Sequence, residues 1–130
     1  MEQLSAGQLP ALLERHVSFH DSVLHRVELR FSREALGRHV SVELEVLDQM
    51  SPDGWGKVRF EFRGVHRLSL LEDQTTNVVL SHGIEWTVHT DRITADLSPV
   101  HAEEGPSTFL ISAQEVWFGS APDASDFPKR

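Results

Sequence analysis

Lys57–Leu71, Lys-Val-Arg-Phe-Glu-Phe-Arg-Gly-Val-His-Arg-Leu-Ser-Leu-Leu, is the stretch on which the fold turns. Val58, Phe60 and Phe62 alternate with Lys57, Arg59, Glu61 and Arg63. Successive side chains leave opposite faces of a pleated chain, so this period of two marks a strand with one buried face. Gly64 interrupts the alternation, and Leu68 and Leu70 resume it. Two consecutive strands, joined or kinked at Gly64, are expected at the centre of a predominantly antiparallel sheet.

The same period recurs on both sides. Val23–Phe31 sets Val23, His25, Val27, Leu29 and Phe31 against Leu24, Arg26, Glu28 and Arg30. His39–Leu47 sets Val40, Val42, Leu44 and Val46 against Ser41, Glu43 and Glu45. Further on lie Val78–Leu80, then His82–Thr90 with Ile84, Trp86 and Val88 on one face, then Arg92–Leu97 with Ile93, Ala95 and Leu97 inward. Thr108–Phe118 places Phe109, Ile111 and Ala113 on one face and Leu110, Val116 and Phe118 on the other, as an interior strand would. Ser51-Pro52-Asp53-Gly54 spells a turn. Upstream, Gln3–His16 has a helical stripe of Leu9, Leu12 and Leu13, with Ser5 as cap and Gln8 as its partner. Pro10 is tolerated only in a first turn and moves the helix start toward Leu9.

Six to seven strands and one N-terminal helix read as a mainly β fold, an antiparallel sandwich or a partly open barrel. Residues 1–118 form a single domain in this scheme. Residues 119–130 have no period and are expected to be a disordered tail.

Composition narrows the function. At 130 residues and 39% hydrophobic the chain can bury a real core. No apolar run approaches 18 residues, which gives no helical membrane span, and the N-terminus lacks the basic and apolar regions of a secretory leader. With no cysteine there is neither disulfide nor thiolate chemistry, and the cytoplasm is the expected compartment. Twelve basic and 20 acidic residues leave a net charge of −8. There is no basic tract, so nucleic acid is set aside, and an acidic surface suits a basic protein partner. Arg26, Glu28, Arg30, Glu43, Glu45, Arg59, Glu61 and Arg63 have opposite signs where strands could pair. Ion pairing across a solvent face explains them better than an anion-binding patch does.

Chemistry has few footholds. His16 and His20 stand at i, i+4, the spacing of helical zinc sites, and Asp21 or His25 would complete the ligand set. Glu does not follow His16, however, and the helix should end before His20, leaving Asp21 and Ser22 to cap a turn. His66, on a strand near His20, would form a His20–Asp21–His66 general-base constellation, although a His so placed is more often a satisfied core residue. No nucleophile or phosphate-loop motif is present, and no cofactor is expected. Trp55, flanked by Gly54 and Gly56, and Glu103 and Glu104 in a loop, are the candidate contacts with a partner.

Phe19-His20-Asp21-Ser22 leading into alternating strands, together with the ending Ser112-Ala-Gln-Glu-Val-Trp-Phe118, resembles a group of small, mostly β bacterial proteins. These have a Phe-His-Asp-Ser/Ala lead into the first strand. Some are uncharacterised, and some look like immunity proteins of bacterial toxin systems. The resemblance spans about residues 15–118. It implies neutralisation of a toxin by tight binding without catalysis, and it transfers no active-site residue. A non-enzymatic binding protein, as an immunity-type inhibitor, is the leading expectation. The alternatives are a metal- or His-dependent enzyme with a site at the sheet end, and a structural module dimerising through a strand edge.

Overall fold

The computed structural model describes residues 1–33, 37–70, 79–80, 82–98 and 109–121. In chain order, β1 (Glu2–Gln3) leads to α1 (Leu9–Arg15) and a single 3-10 turn (Val17–Phe19). Then follow β2 (Ser22–Phe31), β3 (Arg38–Leu47), β4 (Trp55–Leu70), β5 (Val79–Leu80), β6 (Glu85–Val88), β7 (Ile93–Asp96) and β8 (Phe109–Ser120). They form one antiparallel sheet in the order β5-β2-β3-β4-β8-β7-β6, with β1 also paired to β8.

β4 is the long central strand, as its alternation predicts. It pairs β3 from Trp55 to Arg63 and β8 along nearly its whole length. Gly64 does not separate two strands. Its φ of +66° bends one continuous strand, at a backbone conformation only glycine adopts freely.

The buried pattern changes phase at that bend, on both strands at once. Phe62 lies opposite Val116, and Val65 opposite Ala113. All four are buried, so two residues, not one, separate consecutive buried positions on each strand. Val116 and Phe118 thus join the same core as Phe109, Ile111 and Ala113, while Leu110 stays on the outer face. Trp86, opposite Ala95 in the β7 half, packs its ring on Phe60 and Phe62 at 5.2 and 6.4 Å. The second half of the sheet therefore folds over the first.

Chain connectivity requires that curl. β5 and β6 sit at opposite ends of the sheet order, yet only residues 81–84 join them. Five residues reach roughly 17 Å when extended. The edges of a flat seven-stranded sheet would lie roughly 29 Å apart. The sheet accordingly curls into a half-barrel, the partly open form of the expected architecture. Val40, Val42, Leu44, Val46, Phe60, Ile111 and Val116 fill it, each at most 1% exposed.

Two histidines sit in bulges. Along β2 and β3 the register jumps between Leu24 and Arg26, leaving His25 as the extra residue. Along β4 and β8 it jumps between Val65 and Arg67, leaving His66. The first bulge corrects the sequence pattern. Leu24 and Val27 pack against the core, whereas strict alternation puts Leu24 outside with Arg26.

The helix is shorter than Gln3–His16, because Glu2 and Gln3 pair with Phe118 and Trp117 as β1. Pro10 falls in the first turn of α1, and the Gln8 side chain accepts from the Ser5 amide at 3.0 Å. β8 runs two residues past the expected domain boundary, to Ser120; residues 122–130, where the tail was expected, lie outside the described set.

Candidate functional site

The mouth of the half-barrel is closed by an unusual piece of backbone. Val17, Ser18, Phe19 and Asp21 all have positive φ, between 53° and 61°. A left-handed conformation costs an L-residue roughly 1–2 kcal/mol, and a β-branched residue such as Val17 is the least suited to it. The surroundings hold it there. Phe19 is fully buried, stacked on His16 at 5.1 Å and edge-on to Phe60 at 5.3 Å. The Ser22 hydroxyl donates to the Phe19 carbonyl at 2.7 Å. The Ser18 carbonyl accepts from Ile84 N–H at 3.2 Å, and Asp21 N–H donates to Leu80 at 2.9 Å. This turn is the pin that ties β2 to the β5–β6 connection across the open side.

His16 belongs to the same plug. It is 1% exposed, and Nδ1 lies 3.0 Å from the Leu47 carbonyl. A carbonyl only accepts, so Nδ1 carries the proton, and Nε2 is a buried lone pair without a partner among the described residues. Burial pushes the imidazole pKa below its ordinary 6.5, against the opposing pull of the Leu47 carbonyl and Asp48.

Beside it, the β3–β4 turn is clamped to α1. Arg15 meets Asp48 through two parallel bonds of 2.9 and 3.0 Å. The pair lowers the Asp48 carboxyl to about 2, chiefly through the guanidinium hydrogen bond. Gln49 N–H donates to the Arg15 carbonyl and its side-chain amide to the Glu14 carbonyl. Asp48 accepts from Met50 N–H, and Asp53 from the Ser51 hydroxyl and Trp55 N–H. Those last two bonds hold the Asp53 carboxyl below its usual range. On this fixed turn Met50 is 74% exposed and Trp55 37%. Val17, one residue past His16, is a further exposed apolar side chain.

The sequence candidates fare unevenly. Trp55 is exposed at the start of β4, whereas Glu103 and Glu104 lie outside the described residues. His16, His20, Asp21 and His25 do not assemble as a ligand set. His16 is turned inward to Leu47, His25 Nε2 meets Glu45 at 3.1 Å, and His20 and Asp21 are exposed. Among the described residues no three His, Asp or Glu side chains gather as a metal requires. The His20–Asp21–His66 constellation does not form either. Asp21 precedes β2, and His66 lines a depression with Phe31, Ser32 and Arg38 at the far end of that strand. Ten residues of extended chain span roughly 30 Å.

Sequence reasoning passed over Met50 and the Arg15–Asp48 clamp. Met50 had a signal: it is a large apolar residue directly before Ser51-Pro52, where no strand position remains to be filled. The clamp had none, since 33 residues separate its partners.

The outward charges pair across strands only in part: Arg59 meets Glu43 on the neighbouring strand, whereas Arg26 and Arg30 meet Glu28, and Arg63 meets Glu61, two residues along their own strands. Arg26, Glu43 and Arg59 are opposite one another across β2, β3 and β4, and Arg59 donates to Glu43. Arg63 Nε donates to Glu61 at 2.8 Å and lies 4.3 Å from the centre of the Trp117 ring.

Compared with known proteins, the chain matches no protein family, and neither a curated protein nor a solved structure resembles it significantly.

Proposed function

We propose that this chain is a non-enzymatic protein-binding domain that docks through the β3–β4 turn. One observation carries the proposal: Met50 and Trp55 are presented to solvent on a turn fixed by the Arg15–Asp48 clamp and the Asp53 hydrogen bonds. Burying such a side chain contributes about 1.5–3 kcal/mol. Because the backbone is already ordered, binding avoids the cost of ordering the loop and pays only about 0.5–1.5 kcal/mol per immobilised side chain. Trp is also a favoured interface anchor. Asp53 and Glu14 flank the turn, and the chain carries −8, so the partner is a protein with an apolar pocket and a basic rim. An immunity-type inhibitor, occupying a toxin without chemistry, is the form of this function that the Phe19-His20-Asp21-Ser22 resemblance implies. A cytoplasmic location belongs to the same proposal; among the described residues no helix is long and apolar enough to cross a membrane.

The test is affinity capture from source-cell extracts with three baits: the natural chain, a Met50→Ser, Trp55→Ser double variant, and an Arg30→Gln control on the ion-paired face. We expect one protein at near-equal stoichiometry with the natural chain and the control, and at least a tenfold loss with the double variant. Equal recovery by all three overturns the proposed surface.

Self-association is a second function that one observation favours. From Leu24 to Phe31 the outer edge of β2 has no ladder partner among the described residues, and Leu29 and Phe31 are 43% and 72% exposed. A monomer mass independent of concentration in sedimentation equilibrium excludes it.

A further inference from the structure

The outer face of the sheet changes character across the bend at Gly64. On the β2–β3–β4 side, long charged side chains cover the surface and pair with one another. On the β4–β8–β7 side, Arg67, Ser112 and Thr94 stand opposite one another in the ladder. Paired residues leave the same face, about 4.8 Å apart from strand to strand. Two of these three are short, so beside Arg67 the surface sinks into a depression of about 490 Å³. Ser112 is 6% exposed and forms its floor with Thr94, while His66, Arg67 and Arg92 are exposed around it.

The hydrogen-bonding capacity of this depression is not used up. The Thr94 and Ser112 hydroxyls lie 3.1 Å apart. Together they hold two protons and need one for the bond between them, which leaves one to donate outward. Arg67 has no ion-pair or hydrogen-bond partner for its side chain among the described residues. Arg92 meets Asp91 only at 3.6 Å, with both side chains largely in water at 43% and 72% exposure. His66, the extra residue of the β4 bulge, lines the same hollow. In a chain of net charge −8, two guanidinium groups and an imidazole, against the single carboxylate of Asp91 beside Arg92, thus line a hollow floored by a part-buried hydroxyl pair.

We propose that this depression binds a small oxyanion of the phosphate type. Arg67 grips one edge through its planar fork of N–H groups, Arg92 neutralises the opposite side, and the Thr94–Ser112 pair donates from below. A volume of about 490 Å³ exceeds what a bare phosphate fills, so there is room for a small organic group esterified to it.

The experiment is a titration of the full chain with inorganic phosphate at constant ionic strength, followed by amide chemical shifts. Saturable shifts confined to residues 65–69, 92–95 and 110–113 are expected, with a dissociation constant of about 1 mM or tighter. Arg67→Gln should weaken binding at least tenfold and Thr94→Val several-fold, while Arg30→Gln on the ion-paired side leaves it unchanged. A parallel titration with glycerol phosphate separates the two sources: tighter binding assigns an ester, and equal binding assigns the free anion. The same shifts with chloride, or an equal loss in Arg30→Gln, would overturn the site, because either marks diffuse charge attraction alone. The exposed substitutions leave the core untouched, and unchanged thermal unfolding of each variant checks that.

Discussion

His16 shows how one residue sets a pH limit on the fold. Its pKa is lowered in the folded state because charging it means placing a cation among Phe19, Phe118 and the Leu47 carbonyl. Above the unfolded value of about 6.5 the ring is neutral in both states and costs nothing. Below it the unfolded chain takes up the proton more readily, so stability falls as pH drops. The denaturant midpoint should therefore decline from pH 7 to pH 5, with the His16 ring titrating below its ordinary value by NMR. A His16 that titrates at 6.5 in the folded protein contradicts this. Gly83 is the second residue that carries more than its size. Its φ is +73°, and a Cβ there would stand 2.2 Å from the Ser18 carbonyl oxygen. Gly83→Ala should cost on the order of 3 kcal/mol in chemical unfolding, since neither the backbone nor the left-handed turn can yield. A loss under 1 kcal/mol would mean that the turn gives way. Neither effect was legible in the sequence. The i, i+4 spacing of His16 and His20 suggested a metal, but the acceptor that fixes His16 is a backbone carbonyl 31 residues away.

Among the elements, strand position and inward residues were legible, and phase changes were not. Val40 to Val46 alternate without a break, and β3 is read correctly from sequence alone. The bulges at His25 and His66 shift the register by one residue, which a period of two cannot anticipate. The charged face was legible where opposite signs meet at paired positions, as at Arg26, Glu43 and Arg59, and it makes a sharp prediction. Glu43 is 4% exposed and relies on Arg59. Arg59→Ala should cost roughly 2–3 kcal/mol by leaving that carboxylate without its partner, whereas Arg59→Met combined with Glu43→Leu should recover most of the loss. A double variant no more stable than the single would show that packing, not charge, is at stake. The clamp between α1 and the β3–β4 turn has its own pH signature. With the Asp48 carboxyl lowered from 3.8 to about 2, its stabilisation is complete above pH 4 and lost as pH falls toward 2. Arg15 is 45% exposed, so solvent screening reduces this to about 1 kcal/mol. Asp48→Asn should remove that amount at pH 7 and nothing near pH 2.

For the whole molecule, the sheet is an incomplete barrel that the chain itself draws shut. β5 and β6 lie at opposite edges but adjoin in sequence, and the Val17–Phe19 turn is bonded to the connection between them. A mainly antiparallel β fold was readable from the six to seven strands that the alternation marks. Strand order was not, because it depends on which edges meet, and neither was the bend that brings Val116 and Phe118 of β8 into one core with Phe109, Ile111 and Ala113. The candidate site follows from that closure. The plug needed to fill the mouth also fixes the turn beside it, which leaves Met50 and Trp55 exposed on an ordered backbone. Hydrogen exchange on the complex of this chain with its captured partner tests this claim most directly. We predict that the partner slows exchange at Leu47–Trp55 and at Val17, with the β2 edge unchanged. Protection confined to Leu24–Phe31, with Leu47–Trp55 exchanging as in the free protein, would contradict it.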